Sequence, residues 1–192
     1  MKSAKKNCPA ESDMSGIFKP ENDLPEIFND EYFMRAAMRE AEKAERDNEV
    51  PIGAVAVKDG MVIARAWNQV ELLKDATAHA EILVLTAAST LLGDWRMDGV
   101  TIYVTKEPCA MCAGAMVNAR VERVVFGLRD PRCGACGSAL DITGFPGMLH
   151  QVKSTGGILE LECGEQIRRF FRNVRSGMNP KNSAMIKSSG GE

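Results

Sequence analysis

Four side chains in two short clusters have the types and spacing to do chemistry: His79 and Glu81 in His79-Ala80-Glu81, and Cys109 and Cys112 in Pro108-Cys109-Ala110-Met111-Cys112. One imidazole and two thiolates are borderline-to-soft ligands, a set that suits zinc, and a catalytic zinc keeps its fourth position open for water. Cysteines three residues apart on a helix share a face and can hold one ion. Residues two apart are turned about 200° from each other, so His79 and Glu81 do not chelate the same ion as neighbours. Glu81 is therefore read as a carboxylate outside the ligand set, placed to move protons. Zinc lowers the pKa of bound water from about 15.7 toward 7, which makes hydroxide available at neutral pH. Such a hydroxide attacks an electron-poor ring carbon bearing an amino group, and Glu81 shuttles protons to the ring nitrogen and the departing ammonia. The expectation is one zinc per chain, held by His79, Cys109 and Cys112.

The elements around these residues follow from periodicity. Asn29 caps a helix to about Asn48, with Phe33, Ala36, Ala37, Ala41 and Ala44 at helical spacing. Ile52 to Val57 and Met61 to Ala66 read as strands joined by the tight turn Asp59-Gly60. A helix from His79 to about Leu91 follows a polar loop, then a strand from Val100 to Thr105. Pro108 suits the first turn of the next helix, which runs to about Asn118, because its missing N–H would be orphaned there anyway. Both ligand clusters thus fall in helix first turns, where partial positive charge favours thiolate. Val121 to Phe126 reads as the fourth strand, Gly127 to Gly147 as a loop with room for one helical turn, His150 to Lys153 as an edge strand, and Cys163 to Arg175 as a basic helix. A hairpin followed by alternating strands and helices gives an α/β layered domain with a mixed sheet. Residues 1–28 read as a mobile extension, 29–176 as the domain, and 177–192 as a disordered tail.

Composition narrows the classes. The 192 residues fit one domain, with 45% hydrophobic and 26% charged residues. A net charge of −2 and a pI of about 5.8 argue against blanket electrostatic binding to nucleic acid, so any such contact rests on a local patch. No apolar run approaches the roughly 18 residues of a membrane span, and no membrane partner is expected. Six cysteines, four of them in two C-x-x-C pairs, point to metal chemistry in a reducing compartment, and the protein is read as cytoplasmic. The spacing allows one rival: Cys109, Cys112, Cys133 and Cys136 as a closed Cys₄ ribbon, which would make the chain a binding module. That reading leaves His79 and Glu81 unexplained, and the residues between the pairs read as a helix and a buried strand. Cys133 and Cys136 are read instead as small residues in a glycine-rich loop.

H-x-E followed by P-C-x-x-C is the signature of zinc nucleobase deaminases. Chemistry alone leaves cytosine, guanine and adenine open. Val50-Pro51-Ile52-Gly53-Ala54-Val55, Trp67-Asn68, Thr77-Ala78-His79-Ala80-Glu81, Tyr103-Val104-Thr105, Glu107-Pro108-Cys109, Cys112-Ala113-Gly114-Ala115-Met116, Val124-Val125-Phe126-Gly127, Asp130 and Gly134-Ala135 resemble the bacterial tRNA-specific wobble adenosine deaminases. The resemblance covers roughly residues 30–175. It implies a cytidine-deaminase-like three-layer α/β/α sandwich on a mixed five-stranded sheet, adenosine-to-inosine conversion in a tRNA anticodon stem-loop, and a homodimer. Carried over by position, Asn68 and Ala80 bind the purine, and Arg129 and Asp130 meet flanking nucleotides. Arg168, Arg169 and Arg172 on the basic helix are candidates for RNA phosphates. Relatives acting on free guanine share the metal residues and are the alternative. The chain departs from the family at Met148-Leu149-His150, where Met-Asn-His is frequent, and at Cys133 and Cys136.

Overall fold

The computed structural model describes residues 29–177. The expected extension, 1–28, and all of the expected tail beyond Gly177 lie outside the described residues. Helix α1, Asp30–Arg46, starts where expected, with the Asn29 side chain accepting the Tyr32 N–H at 3.0 Å. Strands β1, Gly53–Lys58, and β2, Met61–Trp67, form the expected hairpin. Its turn residues Asp59 and Gly60 both take positive φ, 49° and 72°, which matches the right-handed twist of the strands they join. The short helix α2, Val70–Leu73, occupies what the sequence suggests is a polar loop. It is followed by α3, Ala80–Leu92, β3, Val100–Lys106, and α4, Ala110–Asn118. Strands β4, Arg123–Leu128, and β5, Lys153–Gly156, and helix α5, Glu160–Arg175, complete the chain.

The sheet order is β2-β1-β3-β4-β5, antiparallel across the first three strands and parallel from β3 to β5. Period-two alternation divides its side chains between two cores. Ala54, Ala56, Ile102, Val104, Val124 and Phe126 face α3 and α4, while Val55, Val57, Tyr103 and Val125 face α1 and Cys163 of α5. The result is the expected mixed five-stranded sheet between helical layers.

The last helix begins at Glu160, three residues before the expected Cys163, and three other boundaries differ for local reasons. The fourth strand begins two residues late because Val121 finishes the preceding turn, its N–H bonding Met116 O at 3.1 Å after Arg120 at φ 61°. The edge strand is Lys153–Gly156 instead of 150–153. His150 Nε2 lies 2.7 Å from Val121 O, and Val152 donates to Thr143 O at 2.9 Å, so both are held away from the ladder. Pro108 precedes the N-cap Cys109 instead of entering the first turn, and its carbonyl accepts the Ala135 N–H at 2.8 Å. The segment from Arg129 to Val152 contains turns and isolated bridges but no helical turn.

One close approach sets how α1 lies on the sheet. A Cβ at Gly53 would run into the α1 backbone at Ala37 and Ala41. Gly53→Ala should therefore force backbone movement and cost about 1–3 kcal/mol or more. A lower urea midpoint at unchanged slope is the expected result; an unchanged midpoint would mean that α1 does not need this contact.

Candidate active site

The strand ends decide where the chemistry sits. β2, β3 and β4 finish, and β1 begins, at one edge of the sheet. α3 and α4 both start there, with His79 as the N-cap of one and Cys109 as the N-cap of the other; Cys112 is the third residue of α4. His79 Nδ1 lies 3.8 Å from Cys109 Sγ and 3.5 Å from Cys112 Sγ, and the two sulfurs are 3.7 Å apart. Ligands about 2.3 Å (sulfur) and about 2.0–2.1 Å (nitrogen) from one tetrahedral ion stand about 3.8 Å apart for S–S and about 3.6 Å for S–N. The three atoms therefore already have the spacing of a shared ion, and this group can hold one metal. Cys133 and Cys136 are not part of it. Cys136 is buried in the core facing α4, its thiol pushed up to about 12 by burial, and Cys133 is exposed. The Cys₄ ribbon is thus ruled out by position.

The electrostatics suit a cation. Side-chain hydrogen bonds from Cys112 and then His79 hold the Cys109 thiol down to about 3. The same bond from Cys109, followed by burial, raises Cys112. His79 is raised by its contact with Cys109. Glu81, on the first turn of α3, is buried at 4% exposure, and its Oε2 has no hydrogen-bond partner within the protein. Burial pushes its pKa above the usual carboxylate range. A carboxyl group with a free oxygen and a raised pKa beside the cluster is suited to accepting and returning protons.

Next to His79 opens a pocket of about 380 Å³, walled by Val50, Ile52, Asn68, Val70 and, from α5, Phe170, Phe171 and Val174. Asn68 is held at its side, its N–H donating to Ile52 O at 2.9 Å and its Nδ2 to Glu49 Oε2 at 3.1 Å. Ala80 is fully buried between His79 and Glu81, where early helical N–H groups have no intrahelical acceptor.

The other expected residues lie further out. Asp130 is buried and its carboxylate is already engaged by partners within the protein. Burial opposes its ionisation, but Lys106 Nζ and the N–H groups of Arg132 and Cys133 outweigh that and hold its pKa below the ordinary value. Arg129 crosses the Phe126 ring at 5.8 Å and lines, with Asp130 and Phe171, a second cavity of about 350 Å³. Arg168 and Arg172 both pair with Glu165, at 3.2 and 2.5 Å, and Arg169 pairs with Glu45 of α1 at 2.5 Å. None of the three lines the pocket beside His79; α5 contributes its phenylalanines there instead.

Two buried carboxylates beside the site escaped the sequence reading. Glu49 is 1% exposed and accepts from Asn68 and from the Leu72 N–H at 2.6 Å. Glu107 accepts the N–H groups of Asp130, Cys136 and Ser138 at 2.9, 3.2 and 3.1 Å, and a Cβ at Gly134 would strike it. Glu107 thereby ties the loop 130–138 to the strand that delivers Cys109. Its place in Glu107-Pro108-Cys109 was the one available hint.

Sandwich and site together define a deaminase with the cytidine-deaminase-like fold, and the MafB19-like deaminase family model matches residues 28–175. The chain belongs to the tRNA-specific adenosine deaminase family. It is 49% identical over 146 residues to a tRNA-specific adenosine deaminase of Bacillus subtilis, covering 76% of this chain and 91% of that protein. A solved structure from a study of A-to-I editing by tRNA:A34 deaminases at the wobble position superposes with a TM-score of 0.68 at 44% identity, covering 70% of this chain and 98% of that one. A guanine deaminase from Nitrosomonas europaea shares the fold, with a TM-score of 0.64, at 22% identity over 73% of this chain and 83% of its own.

Glu107→Ala should strip three N–H groups of their acceptor, at about 1–3 kcal/mol for each one left buried and unsatisfied. Hydrogen exchange should speed up at Asp130, Cys136 and Ser138 while α1 keeps its protection. Unchanged exchange at those three amides would show that the loop is held by other contacts.

Proposed function

We propose that this chain hydrolyses adenosine to inosine at the wobble position of a tRNA anticodon, using one zinc ion held by His79, Cys109 and Cys112. The single observation that carries the reading is the three-atom ligand set at two converging helix starts, with buried Glu81 beside it and a base-sized pocket opening from His79. Zinc there would supply Lewis acidity and a water that ionises near neutrality. The protein's residues do the rest. Glu81 takes a proton at Oε2 and returns protons to purine N1 and to the departing amino group, so that water and adenosine become inosine and ammonia. Asn68 and the backbone at Ala80 hold the base edge, and Phe170 and Phe171 close the apolar wall and keep water from the ring. A single-stranded loop offers its base to such a pocket without melting a duplex, which is what an anticodon supplies.

Arg129, with the second cavity beside Phe171, is positioned for a flanking nucleotide. A phosphate meeting Arg168, Arg169 or Arg172 would replace Glu165 or Glu45 as partner, so any affinity gained there is the difference between two ion pairs. Asp130 acts by shaping the loop that carries Arg129. A homodimer is supported by the apolar groove between α3 and α4, lined by Ile82, Leu85, Trp95 and Ala115, with exposed Leu149 in an adjoining cleft that shares Trp95. Free thiols at Cys109, Cys112, Cys133, Cys136 and Cys163 support a reducing, cytoplasmic setting. Among the described residues no helix is long and apolar enough to cross a membrane.

Glu81→Ala should retain about one equivalent of zinc and the wild-type fold while turnover on an anticodon stem-loop falls by at least about 10⁴, the upper end for a general acid–base. His79→Ala should lose the metal, and Cys133→Ser with Cys136→Ser should keep it. Near-normal turnover in zinc-loaded Glu81→Ala protein would refute the proton-transfer role.

A further inference from the structure

Glu49 lies outside the metal cluster and has no part in the proton transfers above, yet it is among the most deeply buried charged residues of the fold. It lies within the connection from α1 to β1, and its carboxylate spans two partners. Oε1 accepts the Leu72 N–H of α2 at 2.6 Å, and Oε2 accepts from Asn68 Nδ2 at 3.1 Å. Both Glu49 and Asn68 line the pocket that opens beside His79.

From this geometry we infer that Glu49 is a positioning residue that fixes which way the Asn68 amide faces the base. The inference rests on the purine-pocket reading of Asn68 given above. An amide has a donor end and an acceptor end of nearly the same shape, and packing alone distinguishes them poorly. A carboxylate removes the ambiguity, because it offers acceptors only. Turning the amide over would bring Oδ1 against Oε2, two acceptors facing each other in a buried site. Glu49 therefore holds the NH₂ end to itself, and Asn68 presents Oδ1, with the second Nδ2 hydrogen, to whatever occupies the pocket. The same carboxylate anchors α2, which forms the pocket's rim, so base edge and rim are set by one group.

The informative substitution is Glu49→Gln, which keeps shape and volume. The carbonyl oxygen of the new side chain still accepts the Leu72 N–H, but its NH₂ now faces Asn68 and favours the reversed amide. Turnover on an anticodon stem-loop, measured as kcat/KM, should drop roughly ten- to a hundred-fold, the range for one mispaired polar group in a binding site. Metal content and thermal midpoint should stay near wild type. In an Asn68→Ala background the same Glu49→Gln change should have no further effect, because nothing is left to orient. A merely structural Glu49 would cost the same in both backgrounds, and that result overturns the inference. A second arm does not depend on activity. In ¹⁵N–¹H spectra, one Asn68 side-chain proton should be slow to exchange in the wild type and lose that protection in Glu49→Gln. Equal exchange in the two proteins also overturns the inference. If the wild type leaves the stem-loop adenosine unchanged while the Asn68 signal behaves as described, the substrate reading fails and the orienting role stands.

Discussion

The whole site depends on two helix N-termini meeting at one end of one sheet. Neither helix supplies a metal site alone. α3 brings a single imidazole and α4 a pair of sulfurs, and the three atoms come to within 3.5–3.8 Å of one another only because β2 and β3 end side by side across β1. The positive end of α4 assists the same arrangement, since it stabilises the thiolate form of the sulfurs at its tip. The packing that sets this edge is tight. α1 rests on β1 through Gly53, whose N–H also donates to the Thr105 side chain at 3.2 Å, joining the two central strands where the site begins.

Three buried glutamates show how one side-chain type is given different tasks by its donors. Glu107 is saturated with backbone N–H groups and behaves as scaffold for the loop across the site. Glu49 divides its oxygens between a rim helix and the pocket amide. Of the three, Glu81 alone keeps an oxygen without a partner, and burial raises its pKa. A buried, unsatisfied carboxylate oxygen costs stability, and a protein retains such a group where the free oxygen has work to do.

The residues legible in the sequence were those whose chemistry is rare and local. A His-x-Glu and a Cys-x-x-Cys, each at a helix start, announce themselves by type and spacing, and the alternation in Ala54 to Val57 and Ile102 to Val104 gives the sheet its two faces. Glu49 and Glu107 were not legible, because a carboxylate's role as acceptor depends on donors 19 to 31 residues away that only the folded chain brings near. The arginines of α5 are the converse case. The sequence shows Arg168, Arg169 and Arg172 as candidates for phosphates, but not that packing against α1 and the turn of the helix itself give all three carboxylate partners. The edge strand was displaced for a similar reason: His150 and Val152 are engaged by Val121 and Thr143 before the ladder starts.

The central claim is that a base held in an RNA loop, and adenosine in particular, is what this pocket turns over. Zinc-loaded protein should be given, in parallel, an anticodon stem-loop with adenosine at the wobble position, free adenosine and free guanine, with nucleoside analysis of each product. The account predicts inosine at the wobble position of the stem-loop, with both free compounds left unchanged. Conversion of guanine to xanthine with the stem-loop adenosine intact would contradict it.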